Sequence, residues 1–458
     1  MNILRRIYNL LLDEERKKLL KMAVTVLFSA LLDFAGLAVL LPVLYSILDD
    51  GESRGIAVFF CMLAVGVVLV KSVLATLFAR YQNKCLLSFY RRLSFSLFAS
   101  YYSRGLLFIR EHGSNKLGHE INAMCYSFSH SLLAPICRMA GDLLLILLVT
   151  AALLIWNGTT VLILFASFIP FMCFYIFGVR KRVRKIGDED MNAKRGQARV
   201  VSDAFRGFVE LEVSGAFPTL QRLFLQGMDT ISHNRMKLDI LMRLPLFLSE
   251  LSVIVGFTML LLFAQGDVKM VLGVFAVTSF RLLPALRTVL TGWTQIQNSL
   301  CTLDVIEEGL KGYEDEEKVE KRDISFESEI CMDGISYAYP GGETIFDGFT
   351  CRIAKGEYVG FCGSSGAGKS TLFNMIIGLI EPDCGEVRID GVALTRATRE
   401  AWMKKIGYVP QEVFIFNGTL AENIALGCEE IDYDRIEDIL KKVRLEKWAK
   451  ALDRKSVV

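Results

Sequence analysis

Net charge is nearly absent from this sequence: 52 Lys and Arg against 50 Asp and Glu leave only +2 over 458 residues. No overall basic field draws nucleic acid to the chain, and none is expected as a partner. Ordered cysteine chemistry is also missing. The 11 cysteines contain no CxxC pair and no Cys/His cluster at zinc spacing, so they are expected to be reduced thiols used as small apolar residues. The opening stretch, "MNILRRIYNLLLDEERKKLLKM", is amphipathic and charged, with no small-residue cleavage site behind a short apolar core, so no cleaved signal peptide is expected.

What is abundant is apolar length. Hydrophobic residues make up 52% of the chain and the mean hydropathy is +0.39. Charged residues, at 22%, stay near the roughly 25% of an ordinary soluble domain. That combination predicts two unlike parts. A bilayer core of about 30 Å needs roughly 20 apolar residues in a helix. Six windows qualify, near Met22–Leu48, Ile56–Ala79, Met139–Trp156, Val161–Val179, Leu244–Ala264 and Met270–Leu290. The connectors alternate between tiny ("DDGESRG", "NGTT", "QGDVK") and long (Arg80–Arg138 and Arg180–Arg243). Lys and Arg crowd the long connectors, whereas the short ones hold only Arg54 and Lys269. The positive-inside rule then places both long connectors and both termini in the cytoplasm. Within the long connectors, helical periodicity predicts helices continuing out of the membrane, with breaks at Gly105, Gly113 and Ser214–Thr219.

Ionisable residues interrupt the windows at Asp33, Lys71, Asp142, Glu250, Arg281 and Arg287. Charge at that depth is costly and usually faces a cavity or a partner. Asp33 and Glu250 are read as facing inward, and Arg281 and Arg287, flanking Pro284, as offering cations toward one region. For Asp142 and Arg287, snorkelling to the interface competes with that reading.

After an acidic connector, "EEGLKGYEDEEKVEKRD", strand-like stretches appear: "EICMDGISYAY", "CRIAKGEYVGFC" and "GEVRIDG". The second leads into Gly363–Ser370, which fits G-x-x-x-x-G-K-[ST] in full. Gly363, Ser364, Ser365, Gly366, Ala367 and Gly368 form a loop whose backbone N–H groups aim at phosphate oxygens. Lys369 reaches the outer phosphates, Ser370 offers its hydroxyl to Mg²⁺, and Thr371 begins the apolar helix "STLFNMIIGLI", whose positive N-terminus faces the phosphates. ATP and Mg²⁺ are the expected cofactors.

These residues carry a resemblance. "YAYPGGETIFDGFTCRIAKGEYVGFCGSSGAGKSTL" resembles the start of an ABC-transporter ATPase domain, and "KIGYVPQEVFIFNGTLAENIALG" resembles that domain's Q-loop region. Six crossings with two long cytoplasmic connectors resemble the exporter type of membrane domain. The resemblance implies an all-α six-helix transmembrane domain over residues 1–306, a linker over 307–327, and a partial α/β P-loop nucleotide-binding domain over 328–458. It implies a homodimer in the cytoplasmic membrane. Tyr339 matches the aromatic residue that stacks on adenine, and Gln411 the glutamine that touches Mg²⁺ and the attacking water. The turns near Leu107–Lys116 and Glu212–Leu220 match coupling helices that dock on ATPase domains.

The family's later motifs are absent from these 458 residues: no LSGGQ-like signature, no Walker B Asp followed by a catalytic Glu, and no switch His, since His112, His119, His130 and His233 all come earlier. "GEVRID" ends in Asp390, but its context suits a hairpin. The expectation is a truncated copy that grips ATP and hardly splits it. Within exporters, "SALLDFAGLAVLLPVL" and "SFRLLPALRTVLTGWTQIQNSLCTLDVI" resemble the flippases for lipid-linked oligosaccharides of bacterial N-glycosylation. By that resemblance Arg80 and Arg281 fall at cavity arginines where a pyrophosphate-linked headgroup would pass. Two further arginines of that group fall at Thr288 and Leu246 instead. The expected cargo is a lipid-linked glycan; a lipid, peptide or drug exporter, or a membrane-anchored nucleotide-binding module, are the alternatives.

Overall fold

The computed structural model describes residues 3–40, 42, 54–263, 268–311, 322–411 and 413–451. The end of the first apolar window, most of the first and third short connectors, residues 312–321 of the acidic linker and residues 452–458 lie outside these. The chain divides into two units, Met1–Val319 and Glu320–Val458.

The described residues of the first unit form helices joined by short turns. A short helix α1 (Ile3–Leu10) precedes α2 (Asp13–Ala38) and the 50-residue α3 (Arg54–Ser103). Two short helices follow, α4 (Gly105–His112) and α5 (Ser114–His119), the second running on through two π-turns to Trp156. Then come α6 (Gly158–Arg206), α7 (Phe208–Ser214), α8 (Phe217–Phe263) and α9 (Val268–Leu310). Six of these helices are long and apolar enough to cross a membrane, and they coincide with the six windows. Each long connector is helical and breaks where glycine permits it: Gly105, Gly113 and Gly215 all have positive φ. Asn157 starts α6 by accepting from the N–H groups of Thr159 and Thr160, a side-chain N-cap.

Two apolar cores organise this unit. One, around Leu145, Val149, Phe168, Leu260 and Phe275, ties α5, α6, α8 and α9 within the apolar windows. A Cβ on Gly256 would come within 2.5 Å of Phe275, so α8 and α9 meet there at the close range small residues allow in membranes. The other, around Phe89, Leu97, Phe128 and Leu303, packs the helical extensions. Its rim is ionic. Arg6 grips Glu307 at 2.5 Å and Asp304 at 2.6 Å, which holds the guanidinium above its ordinary pKa. Arg92 grips Glu15 at 2.5 Å.

The second unit begins with an antiparallel sheet in the order β2-β1-β3-β4: β1 (Glu329–Ala338), β2 (Thr344–Ala354), β3 (Cys384–Ile389) and β4 (Val392–Ala393). Helix α10 (Lys369–Ile377) leaves the P-loop between β2 and β3. Short helices α11 (Arg399–Met403), α12 (Leu420–Ile424), α13 (Tyr433–Lys442) and α14 (Glu446–Ala451) follow. "EICMDGISYAY" and "GEVRIDG" are strands as the pattern predicts. "CRIAKGEYVGFC" is a strand only to Ala354. Residues 357–362 take no regular structure, and Tyr358 is fully exposed. The physical reason is pairing: a strand needs a neighbour for its N–H and C=O groups, and no strand among the described residues pairs with this one.

Candidate functional site

The phosphate loop is built by two glycines that no other residue replaces cheaply. Gly366 and Gly368 have φ of +84 and +83, a region costly for residues with a Cβ. At Gly368 a Cβ would also lie 2.4 Å from Ile345 and 2.9 Å from Phe346 on β2. The loop therefore packs bare backbone against the sheet, turns, and delivers Lys369 to the first turn of α10. The Lys369 ammonium donates to the carbonyl oxygens of Gly363 (2.9 Å) and Ser364 (2.6 Å), closing the loop on itself. Thr371 is buried, and its hydroxyl shares a 3.1 Å hydrogen bond with Tyr339, whose ring stands edge-on to Tyr337. Ser364, Ser365, Ala367 and Ser370 are exposed around the loop.

Gln411 is exposed in an irregular segment and makes no hydrogen bond to Ser370 among the described residues. Tyr339 and the loop are thus brought together, and Gln411 is not joined to them. The Q-loop segment does carry local order of its own. Thr419 caps α12 by accepting from the Glu422 N–H while Glu422 accepts from the Thr419 N–H, a capping box. Asn423 reaches back to the main chain of Phe416.

Asp390 is a structural residue. It occupies the β3–β4 turn at φ +47, followed by Gly391 at +81. Its carboxylate accepts from the N–H groups of Glu327, Ser328 and Glu329 and from the Ser328 hydroxyl. Those donors hold its pKa well below the usual carboxylate range.

In the helical unit, the ionisable residues within the apolar windows separate into two groups. Asp33 on α2 is gripped by Lys71 of α3 at 2.5 Å and by Arg281 of α9. The three are 21–30% exposed, and the Arg281 Nε is buried without a partner. Asp142 lies near the same cluster, and the Thr288 hydroxyl donates to the Pro284 carbonyl. Arg80 and Glu250, in contrast, are exposed and form no ion pair among the described residues. Arg287 is half-buried with its Nε unpartnered. Asp33 and Arg281 therefore meet, while Arg80, Glu250 and Arg287 stand apart from them. The sequence marks Lys71 as a charge within an apolar window and gives it no role. Its signal was a cation deep in an apolar window, and its partner on another helix is invisible to spacing.

Residues 346–457 match the family described as ABC transporter. The C-terminal part of this chain is an ABC transporter domain. It is joined to six helices of membrane length, the arrangement of a multi-pass membrane protein. Among curated relatives, the ATP-dependent lipid A-core flippase of Alkalilimnicola ehrlichii is 25% identical over 327 residues, covering 69% of this chain and 54% of the flippase. That of Cupriavidus pinatubonensis is 24% identical over 299 residues, covering 62% and 50%. The transport/processing ATP-binding protein ComA of Streptococcus pneumoniae is 33% identical over 140 residues, covering 30% of this chain and 19% of that protein. The chain thus spans about half the length of the flippases it matches. The flippase alignments exceed the length of the whole ABC transporter region, so the likeness extends into the membrane helices and supports the exporter type.

Proposed function

We propose that the chain is one protomer of a homodimeric, ATP-driven exporter of the cytoplasmic membrane, with both termini in the cytoplasm and a lipid carrying an anionic headgroup as cargo. Within that class a lipid-linked glycan is the favoured substrate. The observation that carries the cargo assignment is the Asp33–Lys71–Arg281 cluster inside apolar helices. Lys71 and Arg281 converge on Asp33, with Asp142 near the same group, and ionisable groups at that depth are expensive unless function retains them. The Arg281 guanidinium presents a planar fork that suits phosphate oxygens. Asp33 holds both cations in place until a phosphate group competes for them. Asp33, Arg80, Glu250, Arg281 and Arg287 are proposed to line the route. The flippase relatives favour a lipid over a peptide or drug.

Energy would enter at the P-loop. The loop fits a nucleotide: Gly366 and Gly368 keep the backbone bare, and the Ser370 hydroxyl has no protein partner among the described residues. ATP would be cradled by the loop N–H groups from Gly363 to Thr371, with Tyr339 against the base. Lys369 would exchange its two carbonyl contacts for phosphate oxygens. Ser370, and Gln411 once its segment closes, would hold Mg²⁺, which neutralises charge on the phosphates. This chain is proposed to bind ATP through that loop.

The test is translocation of a labelled lipid-linked glycan in proteoliposomes, with the phosphate-free polyprenyl glycan as comparison. Transport by a turnover-competent form that falls at least about tenfold in Arg281→Ala is expected, since a charge-assisted contact to phosphate is worth about that factor. Equal transport of the phosphate-free lipid would refute the headgroup reading and leave the nucleotide assignment standing.

A further inference from the structure

Away from the P-loop and the Asp33 cluster, the helical unit holds a cavity of about 520 Å³ between the α4–α5 turn and α6. Its walls carry six cations: Arg110 and Lys116 on one side, Lys194, Arg195, Arg199 and Arg206 on the other. Only two acids line it, Glu111 and Asp203. Lys194 is paired with Asp190 at 2.7 Å, and Arg195 lies 3.7 Å from Glu120 with its Nε buried and unpartnered. Arg110, Lys116, Arg199 and Arg206 form no ion pair among the described residues. The two walls are tied across the cavity by a hydrogen bond from the Asn115 amide to the Ser202 hydroxyl. The two walls thus hold their cations around a common space.

We propose that this cavity binds a small soluble polyphosphate, a molecule carrying two or more linked phosphate groups. Four unpaired cations converging from two walls would repel one another when the site is empty, and a compact multivalent anion relieves that repulsion. Arginine forks favour phosphate oxygens over a simple halide. The cavity volume falls within the range of about 300–1,000 Å³ typical of small-molecule sites. A membrane headgroup has the same chemistry but cannot reach. Helix α3 continues 24 residues from Arg80 to Ser103 before the turn, about 36 Å at 1.5 Å per residue, placing the cavity well clear of a bilayer around the apolar window. Because the cavity includes the turn that resembles a coupling helix, an occupant would stiffen the connector between α3 and α6.

The experiment titrates sodium tripolyphosphate by calorimetry into the detergent-solubilised chain carrying Lys369→Ala, which removes the P-loop as a competing phosphate site. One site per chain is expected, weakening as salt rises. The double variant Arg199→Gln/Arg206→Gln, and separately Lys116→Gln on the opposite wall, should each weaken binding by about tenfold or more. Arg222→Gln, an exposed arginine on α8 outside the cavity, should leave it unchanged. All four side chains are exposed, and unaltered helical circular dichroism checks that each variant folds. No saturable binding, or equal weakening by Arg222→Gln, overturns the proposal. A second arm repeats the titration in nanodiscs of phosphatidylcholine with and without phosphatidylglycerol. Equal affinity supports a soluble ligand; competition by the anionic lipid overturns it in favour of a headgroup site.

Discussion

Phe275 on α9 is fully buried, whereas Tyr358, in the apolar run that leads into the P-loop, is fully exposed. Both belong to apolar runs. The difference lies in what each segment needs from the rest of the chain. A helix satisfies its own backbone hydrogen bonds, so an apolar window becomes a helix wherever it finds itself and then packs. A strand of a parallel core cannot do this; its hydrogen bonds belong to neighbours distant in sequence. Residues 357–362 and the apolar Tyr408 and Val409 lack such strand neighbours among the described residues, and Tyr358, Val359, Tyr408 and Val409 remain exposed. Apolar side chains also face outward in the helical unit, as at Ile155 and Phe177, but on helices of membrane length that is what lipid contact requires.

Four substitutions sharpen the comparison, in decreasing order of expected effect. Phe275→Ala empties the centre of the helical core, and thermal unfolding in detergent should report a loss of about 3–5 kcal/mol. Gly368→Ala forces a Cβ into Ile345 and Phe346 at positive φ, costing about 1–3 kcal/mol of local strain, and equilibrium dialysis with labelled ATP should show binding lost. Asp33→Ala frees two half-buried cations. It should cost about 1–2 kcal/mol, between the values for an exposed and a fully buried pair, and Lys71→Met in the same chain should recover part of it. Tyr358→Glu should change stability by less than about 0.5 kcal/mol, as at any surface position. A large loss there would mean the run is packed in solution and would break the contrast.

The β3–β4 turn adds a pH test. The Asp390 carboxylate is held below its ordinary pKa by three backbone N–H groups and a hydroxyl. Its contribution is therefore present above the unfolded carboxylate pKa of about 3.9 and is lost as pH falls through the lower folded value. Hydrogen exchange at Glu327–Glu329 should stay slow at pH 5 to 7 and speed up under strong acid. Asp390→Asn should abolish that dependence.

Much of this was legible in the sequence because the signals are local. The six windows, the glycine breaks in the long connectors and the P-loop each depend on residues close together in the chain. The hairpin reading of Asp390 was also local, resting on "GEVRIDG". What was not legible depends on long separations. Nothing in the spacing of Asp33, Lys71 and Arg281 says that they converge, whereas Glu250 and Arg80, equally conspicuous in the sequence, do not join them. The basic cavity is assembled from two connectors about 80 residues apart, each of which reads on its own as a charged helical face. The strand reading of Glu357–Cys362 followed its composition, and composition cannot supply a pairing partner.

The central claim is that this chain takes hold of ATP through Gly363–Thr371 to drive membrane helices. The most direct measurement is binding of a fluorescent ATP analogue with Mg²⁺ to the purified chain and to Lys369→Ala, both in detergent. Saturable binding by the parent chain, displaced by unlabelled ATP and lost in the variant, is expected. Equal binding by the two proteins, or none by the parent, would contradict it.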